Sequence, residues 1–205
     1  MIMNNKDKIT EVTFALSLNE GFDNVSMKEI QEASGFSAGS IYYYFKDKNE
    51  ILVAIFNKYI LEEFSLFKEN IKNLNGSFIE KLNFIFTHRT TFFNEKEIQS
   101  NGLDVSELRY KNYLALTMSI YHEYPEIRNM FHEMHNDFND FYQELIQEAI
   151  EKDEIRDDID IKILAILIQS SLRGYLNLWM TQSEFSFEEL VENNINMIWE
   201  SIKKK

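Results

Sequence analysis

The residues best placed for chemistry lie between Ser26 and Lys48, in the stretch SMKEIQEASGFSAGSIYYYFKDK. At 100° per residue, a helix opened by Ser37 puts Ile41 and Phe45 on one side. Gly39, Ser40, Tyr42 and Tyr43 fall on the other. The outward side then holds small residues and phenols and no carboxylate. The chemistry this permits is non-covalent: backbone that fits a major groove, and hydroxyls that hydrogen-bond phosphates at its rim. Two elements must position it. Ser26 and Glu29 form a capping box at the start of a first helix, and Ile30 and Ala33 give that helix a small apolar face. Ser34-Gly35 ends it, where glycine tolerates the left-handed turn. Two short helices joined by a glycine turn make a helix-turn-helix.

From Ile9 to Leu52 the order ITEVTFALSLNEGFDNVSMKEIQEASGFSAGSIYYYFKDKNEIL resembles the DNA-binding domain of the TetR family of repressors. The most specific pieces are Glu20-Gly21-Phe22, Ala33-Ser34-Gly35-Phe36-Ser37, and above all Ile41-Tyr42-Tyr43-Tyr44-Phe45-Lys46-Asp47-Lys48. The resemblance implies that Tyr42, Tyr43 and Lys48 touch mainly phosphates. It also implies a homodimer on a palindromic operator, released when a small effector moves the fourth helix. At position 38 many members carry a long donor; here Ala38, Gly39 and Ser40 follow one another. Short side chains cannot reach guanine edges in bidentate fashion, so an operator rich in A·T is expected. With Ser26 and Ser37 as caps, the candidate DNA-binding set is Ser26, Ser37, Ala38, Gly39, Ser40, Tyr42, Tyr43 and Lys48.

Charge argues against indiscriminate DNA binding. The chain has 21 Lys and Arg against 34 Asp and Glu, a net of −13. Residues 1–60 hold six lysines and eight acids, a net of −2, so the acidity is concentrated beyond the motif. Such a protein leans on a few well-placed phosphate contacts. The absence of cysteine excludes disulfides and thiolate metal sites. The amino end lacks an apolar targeting stretch, and the longest apolar run, Ile163–Ile168, is too short to span a bilayer. The expectation is a soluble, cytoplasmic protein without a membrane partner. Pro occurs once and Gly six times among many Leu, Ile, Phe and Met, which favours an all-α chain of about nine helices.

Helix one is expected over about Asn5–Glu20, with Ile9, Val12 and Leu16 inward. A fourth helix, from Lys48 toward Leu74, lacks internal Gly or Pro and can form one rod, a natural lever. Residues 1–48 then form the DNA-binding domain, and 49–205 the effector and dimer domain. Helices are expected from Ser77 to about Asn94, from Asp104 to Tyr121 with Leu108, Tyr113, Leu116 and Ile120 inward, and from Pro125 to Ile150. Glu95–Gly102 reads as a polar linker and Lys152–Asp160 as a charged connection.

The last two helices differ from the rest. Ile161–Thr181 is apolar nearly all round, so two faces must be covered. Leu164, Ile168, Leu172, Tyr175 and Trp179 suit the protein's own interior. Ile163, Leu167, Ser170 and Gly174, with Leu190, Asn194 and Ile198 of the final helix, suit a four-helix interface with a second copy.

Enzyme chemistry finds no support: there is no phosphate loop, no G-x-S-x-G and no cysteine nucleophile. His132 and His135 stand three apart on a helix, with His88 and His122 elsewhere, but such pairs recur by chance, and neither metal nor cofactor is expected. Arg173, in the most apolar helix, reads as a buried cation in need of a partner. The many aromatics beyond residue 60 are mostly packing, yet such a domain can enclose an apolar cavity. The resemblance implies an effector pocket there. Tyr113, Thr117, Phe138, Tyr142 and Arg173 are its candidates, for a small apolar or aromatic ligand. The combined reading is a ligand-responsive, DNA-binding repressor. A DNA-binding protein governed by a protein partner, and a helical ligand-binding protein without DNA function, are the alternatives.

Overall fold

The computed structural model describes residues 4–88, 105–182 and 184–204, and side chains from 108 onward in the second stretch. The described residues are all-α, and their strand-like pairing is confined to a bridge between Ile155 and Lys203. The helices are α1 (Asn5–Glu20), α2 (Met27–Ser34), α3 (Ala38–Tyr44), α4 (Lys48–Phe56), α5 (Glu62–Asn73), α6 (Phe78–Thr87), α7 (Val105–Glu123), α8 (Pro125–Glu151), α9 (Ile161–Thr181) and α10 (Phe187–Ile202). A π turn, Asn57–Leu61, joins α4 to α5 without leaving helical backbone, so the expected rod is continuous but locally widened.

Local chemistry sets most boundaries. Asn4, Ser26, Ser37, Asp47, Asp160 and Ser186 each accept a bond from a first-turn amide of the helix that follows. Gly21 (φ 80°) and Gly35 (φ 75°) close α1 and α2 in a region where a side chain would be strained.

The chain forms two compact units. One holds α1 through the start of α5, with α7 and the first residues of α8; the other holds the rest of α5, α6, most of α8, α9 and α10. In the first, α1 packs on α2, α3, α4 and α7 around Ile9, Phe14, Ile30, Ile41, Ile51, Leu52 and Ile55. The inward face of α1 is not the expected one. Thr10, Thr13 and Ser17 are buried beside Ile9 and Phe14, whereas Val12 and Leu16 are only half-buried. Thr13 and Ser17 donate to carbonyls one turn back at 2.8 and 2.7 Å, so their hydroxyls enter the core satisfied. On α2, likewise, Ser34 is buried and Ala33 exposed.

In the second unit α10 packs on α6 and α9. Phe78, Leu82, Phe86, Leu164, Ile168, Tyr175, Trp179, Val191 and Ile195 are buried there. The Tyr175 hydroxyl donates to the Phe86 carbonyl (2.6 Å), and buried Lys81 pairs with Glu148 (2.9 Å). Two boundaries move. Helix α6 stops at Thr87 and His88 is extended, short of the expected Asn94; Phe93 and the linker Glu95–Gly102 lie outside the described residues. Leu108, expected in the core, is exposed. The charged connection is anchored by buried Ile155 and by the Arg156 amide, which donates to the Ile202 carbonyl (3.0 Å).

Candidate DNA interface and effector region

The motif is built by its own polar groups. The Ser26 hydroxyl accepts from the Glu29 amide (3.2 Å) and donates to the Glu29 carboxylate (2.7 Å), which also takes the Ser26 amide (2.7 Å). These bonds from Ser26 hold Glu29 below the ordinary carboxylate range. Ser37 accepts from the Ser40 amide at 3.2 Å, and their hydroxyls lie 3.0 Å apart. Both serines thus serve as caps. On α3, Ile41 is buried and Phe45 just beyond it is too, whereas Tyr42 and Tyr43 are exposed, Tyr43 to 82%. Gly39 is exposed, and a Cβ there would meet nothing within 4 Å. Gly39, Tyr42 and Tyr43 share the outward side; Ala38 and Ser40 are half-buried.

The lysines around this face already have local partners. Lys28 pairs with Glu32 and Lys46 with Glu50, each at 3.6 Å and one turn apart. Lys48 turns inward instead of lying along a phosphate track. Its ammonium donates to the carbonyls of Phe22 and Asp23 and sits 4.4 Å over the Phe22 ring. Burial lowers its pKa, against the opposing pull of Asp23 and Glu29. The cause is the 3-10 turn Phe22–Asn24, which presents to the start of α4 the Asp23 carbonyl and the Phe22 carbonyl, the latter also accepting from the Val25 amide at 3.3 Å. The same turn is clamped by Tyr124, which donates to the Asp23 carboxylate and meets the Phe22 ring edge-on at 5.6 Å. Nothing in the local sequence announces Tyr124, which lies 101 residues from Asp23.

A second aromatic joint surrounds the π turn. Phe14 of α1 stacks on Tyr59 at 3.8 Å and 8°, and the Tyr113 ring meets Phe14 edge-on at 6.5 Å. The Tyr113 hydroxyl donates to the Tyr59 carbonyl (3.0 Å), and burial raises the pKa of both phenols. Thr117 donates back to the Tyr113 carbonyl. Tyr113 and Thr117 therefore belong to the first unit, whereas Phe138, Tyr142 and Arg173 belong to the second.

In that second unit Tyr142 is 2% exposed, and its hydroxyl has no hydrogen-bond partner among the described residues. Phe138 stacks on it at 5.9 Å, and Phe67 lies 5.9 Å from both Phe138 and Phe84. His135 is driven down to about 4, first by burial and then by the Arg173 and His132 charges. Arg173 is exposed, which corrects the reading of a cation sunk in an apolar helix. An open cleft of about 530 Å³ between α6 and α10, lined by Ile79, Asn83, Phe187, Val191, Ile195 and Trp199, contains none of these candidates. Among the described residues no group of three His, Asp or Glu could hold a metal ion.

The expected interface residues divide between an outward strip of α9 and less exposed positions of α10. Ile163 (61% exposed), Leu167, Ser170 and Gly174 stand outward on α9, beside exposed Ile166 and Leu178. Leu190 and Asn194 are half-buried. Ile198 is 4% exposed within the chain, and Met197, at 76%, takes the outward position. The register follows from the face α10 gives its own chain: Phe187, Val191, Ile195, Ile198 and Ile202. No helix among the described residues is long and apolar enough to cross a membrane.

Residues 9–55 match the sequence model of the bacterial regulatory proteins, tetR family. The fatty acid metabolism regulator protein of Bacillus subtilis (strain 168) is 21% identical over 201 residues, spanning 97% of this chain and 95% of that protein. A TetR-family transcriptional regulator from Cytophaga hutchinsonii superposes with a TM-score of 0.75 at 19% identity, over 100% of both chains. A putative fatty acid metabolism regulator of Clostridium perfringens superposes at 0.63 with 25% identity, over 97% of this chain and 100% of that one. A capped two-helix reader with an uncluttered outer face thus occupies the residues that match the tetR-family model, and the described all-α chain shares its fold with the Cytophaga hutchinsonii regulator.

Proposed function

We propose that this regulator is a homodimeric repressor that binds a palindromic operator through α3 and leaves it when a small effector occupies the second unit. The supporting observation is the α3 face: exposed Gly39 backbone flanked by exposed Tyr42 and Tyr43, with no acidic side chain among them. Residues 1–48 act as the DNA-binding domain, and 49–205 as effector and dimer domain. Ala38, Gly39 and Ser40 offer methyl, backbone and hydroxyl contacts in place of a guanine-reading fork, so the operator is rich in A·T. With the nearby lysines paired, affinity is modest and falls steeply with salt. Dimerisation uses the apolar strip of Ile163, Ile166, Leu167, Leu178 and Met197, since one recognition helix reads too few base pairs. Two relatives are named for fatty acid metabolism, which favours an effector with an apolar body such as an acyl chain.

The test is selection from random duplexes, followed by a screen of apolar compounds for release. The proposal expects an A·T-rich palindrome with half-sites about one helical turn apart. Enrichment of no sequence, or of a G·C-rich palindrome, would refute the reading of α3.

A further inference from the structure

We infer that Tyr142 and Arg173 form the head-group site for the effector, and that this effector is an apolar chain ending in a carboxylate. The inference deepens the proposed ligand response and rests on it. Tyr142 carries a buried hydroxyl with no acceptor. A buried donor without a partner is costly and uncommon in a finished core, and it is relieved when an acceptor arrives. Arg173 makes no hydrogen bond or ion pair with any described residue, and its charge bears on both the Tyr142 phenol and the His135 imidazole.

One seam gathers these groups. Gln169 of α9 donates to the Asn139 side chain of α8 at 3.3 Å. Arg173 lies one turn beyond Gln169, and His135 and Tyr142 lie about one turn to either side of Asn139. Burial keeps the phenol protonated, so its O–H is available to donate to an incoming oxygen. The imidazole is held neutral at ordinary pH, which leaves the guanidinium as the cation of the seam. A buried phenol donor with an exposed guanidinium at the edge of the same seam suits a carboxylate, which can accept from both as it enters. An alcohol would satisfy the phenol alone, and an ammonium would meet the arginine's repulsion. The apolar body of the ligand would pack against a row of rings that already touch one another: from Tyr142 they run through Phe138 and Phe67 to Phe84 and His88, each about 5 to 6 Å from the next.

The experiment uses the full chain and three ten-carbon probes of one length: decanoate, decanol and decyltrimethylammonium. Thermal shift without DNA reads binding; release from the selected operator reads regulation. Decanoate should raise Tm the most and the quaternary ammonium the least. Tyr142→Phe and Arg173→Gln should each weaken decanoate by roughly ten-fold or more, as losing a charge-assisted bond does. Tyr142→Phe should also leave the ligand-free Tm unchanged or higher, because it removes a donor that bonds to nothing. Equal shifts by decanoate and decanol, or variants that bind decanoate normally, would overturn the site. A ligand-free Tyr142→Phe protein that melts earlier, or dissociation of the dimer in Arg173→Gln by light scattering, would also overturn it, assigning these groups to structure or interface. Decanoate binding with the expected variant losses but no operator release would leave the site standing and sink the repressor reading.

Discussion

The polar groups of the α2–α3 reader and those of the α8–α9 seam stand in opposite conditions. In the reader, Ser26, Glu29 and Ser37 close the helix ends, Lys28 and Lys46 have carboxylates one turn away, and Lys48 caps the 3-10 turn. It is finished before DNA arrives. In the seam, the Tyr142 hydroxyl is sealed without an acceptor among the described residues, and Arg173 at its exposed edge has no counterion among them. A finished surface binds as a rigid shape, with little ordering cost on contact. An unfinished interior is stabilised by what enters it, which is what a sensor requires.

The largest effect that separates the two regions comes from the reader's core. Ile41→Ala removes a fully buried side chain from a seven-residue helix. It should lower stability by about 2–5 kcal/mol and abolish operator binding, as read by chemical denaturation and a gel shift. Retained binding at full affinity would show that α3 does not depend on this core.

The next effect carries the contrast in its sign. Ser26→Ala breaks the capping box and should lower stability by about 1 kcal/mol. Tyr142→Phe, an equally small deletion of one hydroxyl, should not lower it at all. If both hydroxyl deletions destabilise alike in thermal melts, the distinction between a finished and an unfinished region fails.

Lys48 sharpens the contrast further. Because its ammonium serves the Phe22 and Asp23 carbonyls, Lys48→Ala should reduce stability by roughly 0.5–1.5 kcal/mol. The salt slope of operator binding should then fall by less than the one unit expected of a direct phosphate contact. A full unit lost, at unchanged stability, would return Lys48 to the DNA.

The last effect is a pH dependence. His135 titrates near 4 in the folded protein against about 6.5 when unfolded. The unfolded chain therefore takes up this proton first. The stability held above about pH 6.5 should decline as pH falls through 4, and His135→Gln should flatten that part of the profile. An unchanged profile in the variant would mean that His135 is already solvated.

Each prediction turns on which details were legible in the chain. The α1, α2 and α3 boundaries were, because capping serines, an asparagine and two glycines act within one turn of their own position. So was the outward strip of α9, since a helix apolar all round must cover two faces. Satisfaction at a distance was not. Thr13 and Ser17 look polar but enter the core because their hydroxyls bond back to α1. Lys48 reads as a phosphate contact, and its bond to a turn 25 residues earlier has no local sign in the chain. Ile198 and Met197 share one helix, and only the packing of α10 on α6 and α9 decides which faces out. The π turn, the Tyr124–Asp23 clamp and the stranded hydroxyl of Tyr142 have no local signature. Periodicity and caps are properties of neighbours in sequence, so the chain alone determines them. Which donor meets which acceptor, and which donor is left without one, depends on groups brought together by packing, and only the tertiary structure decides it.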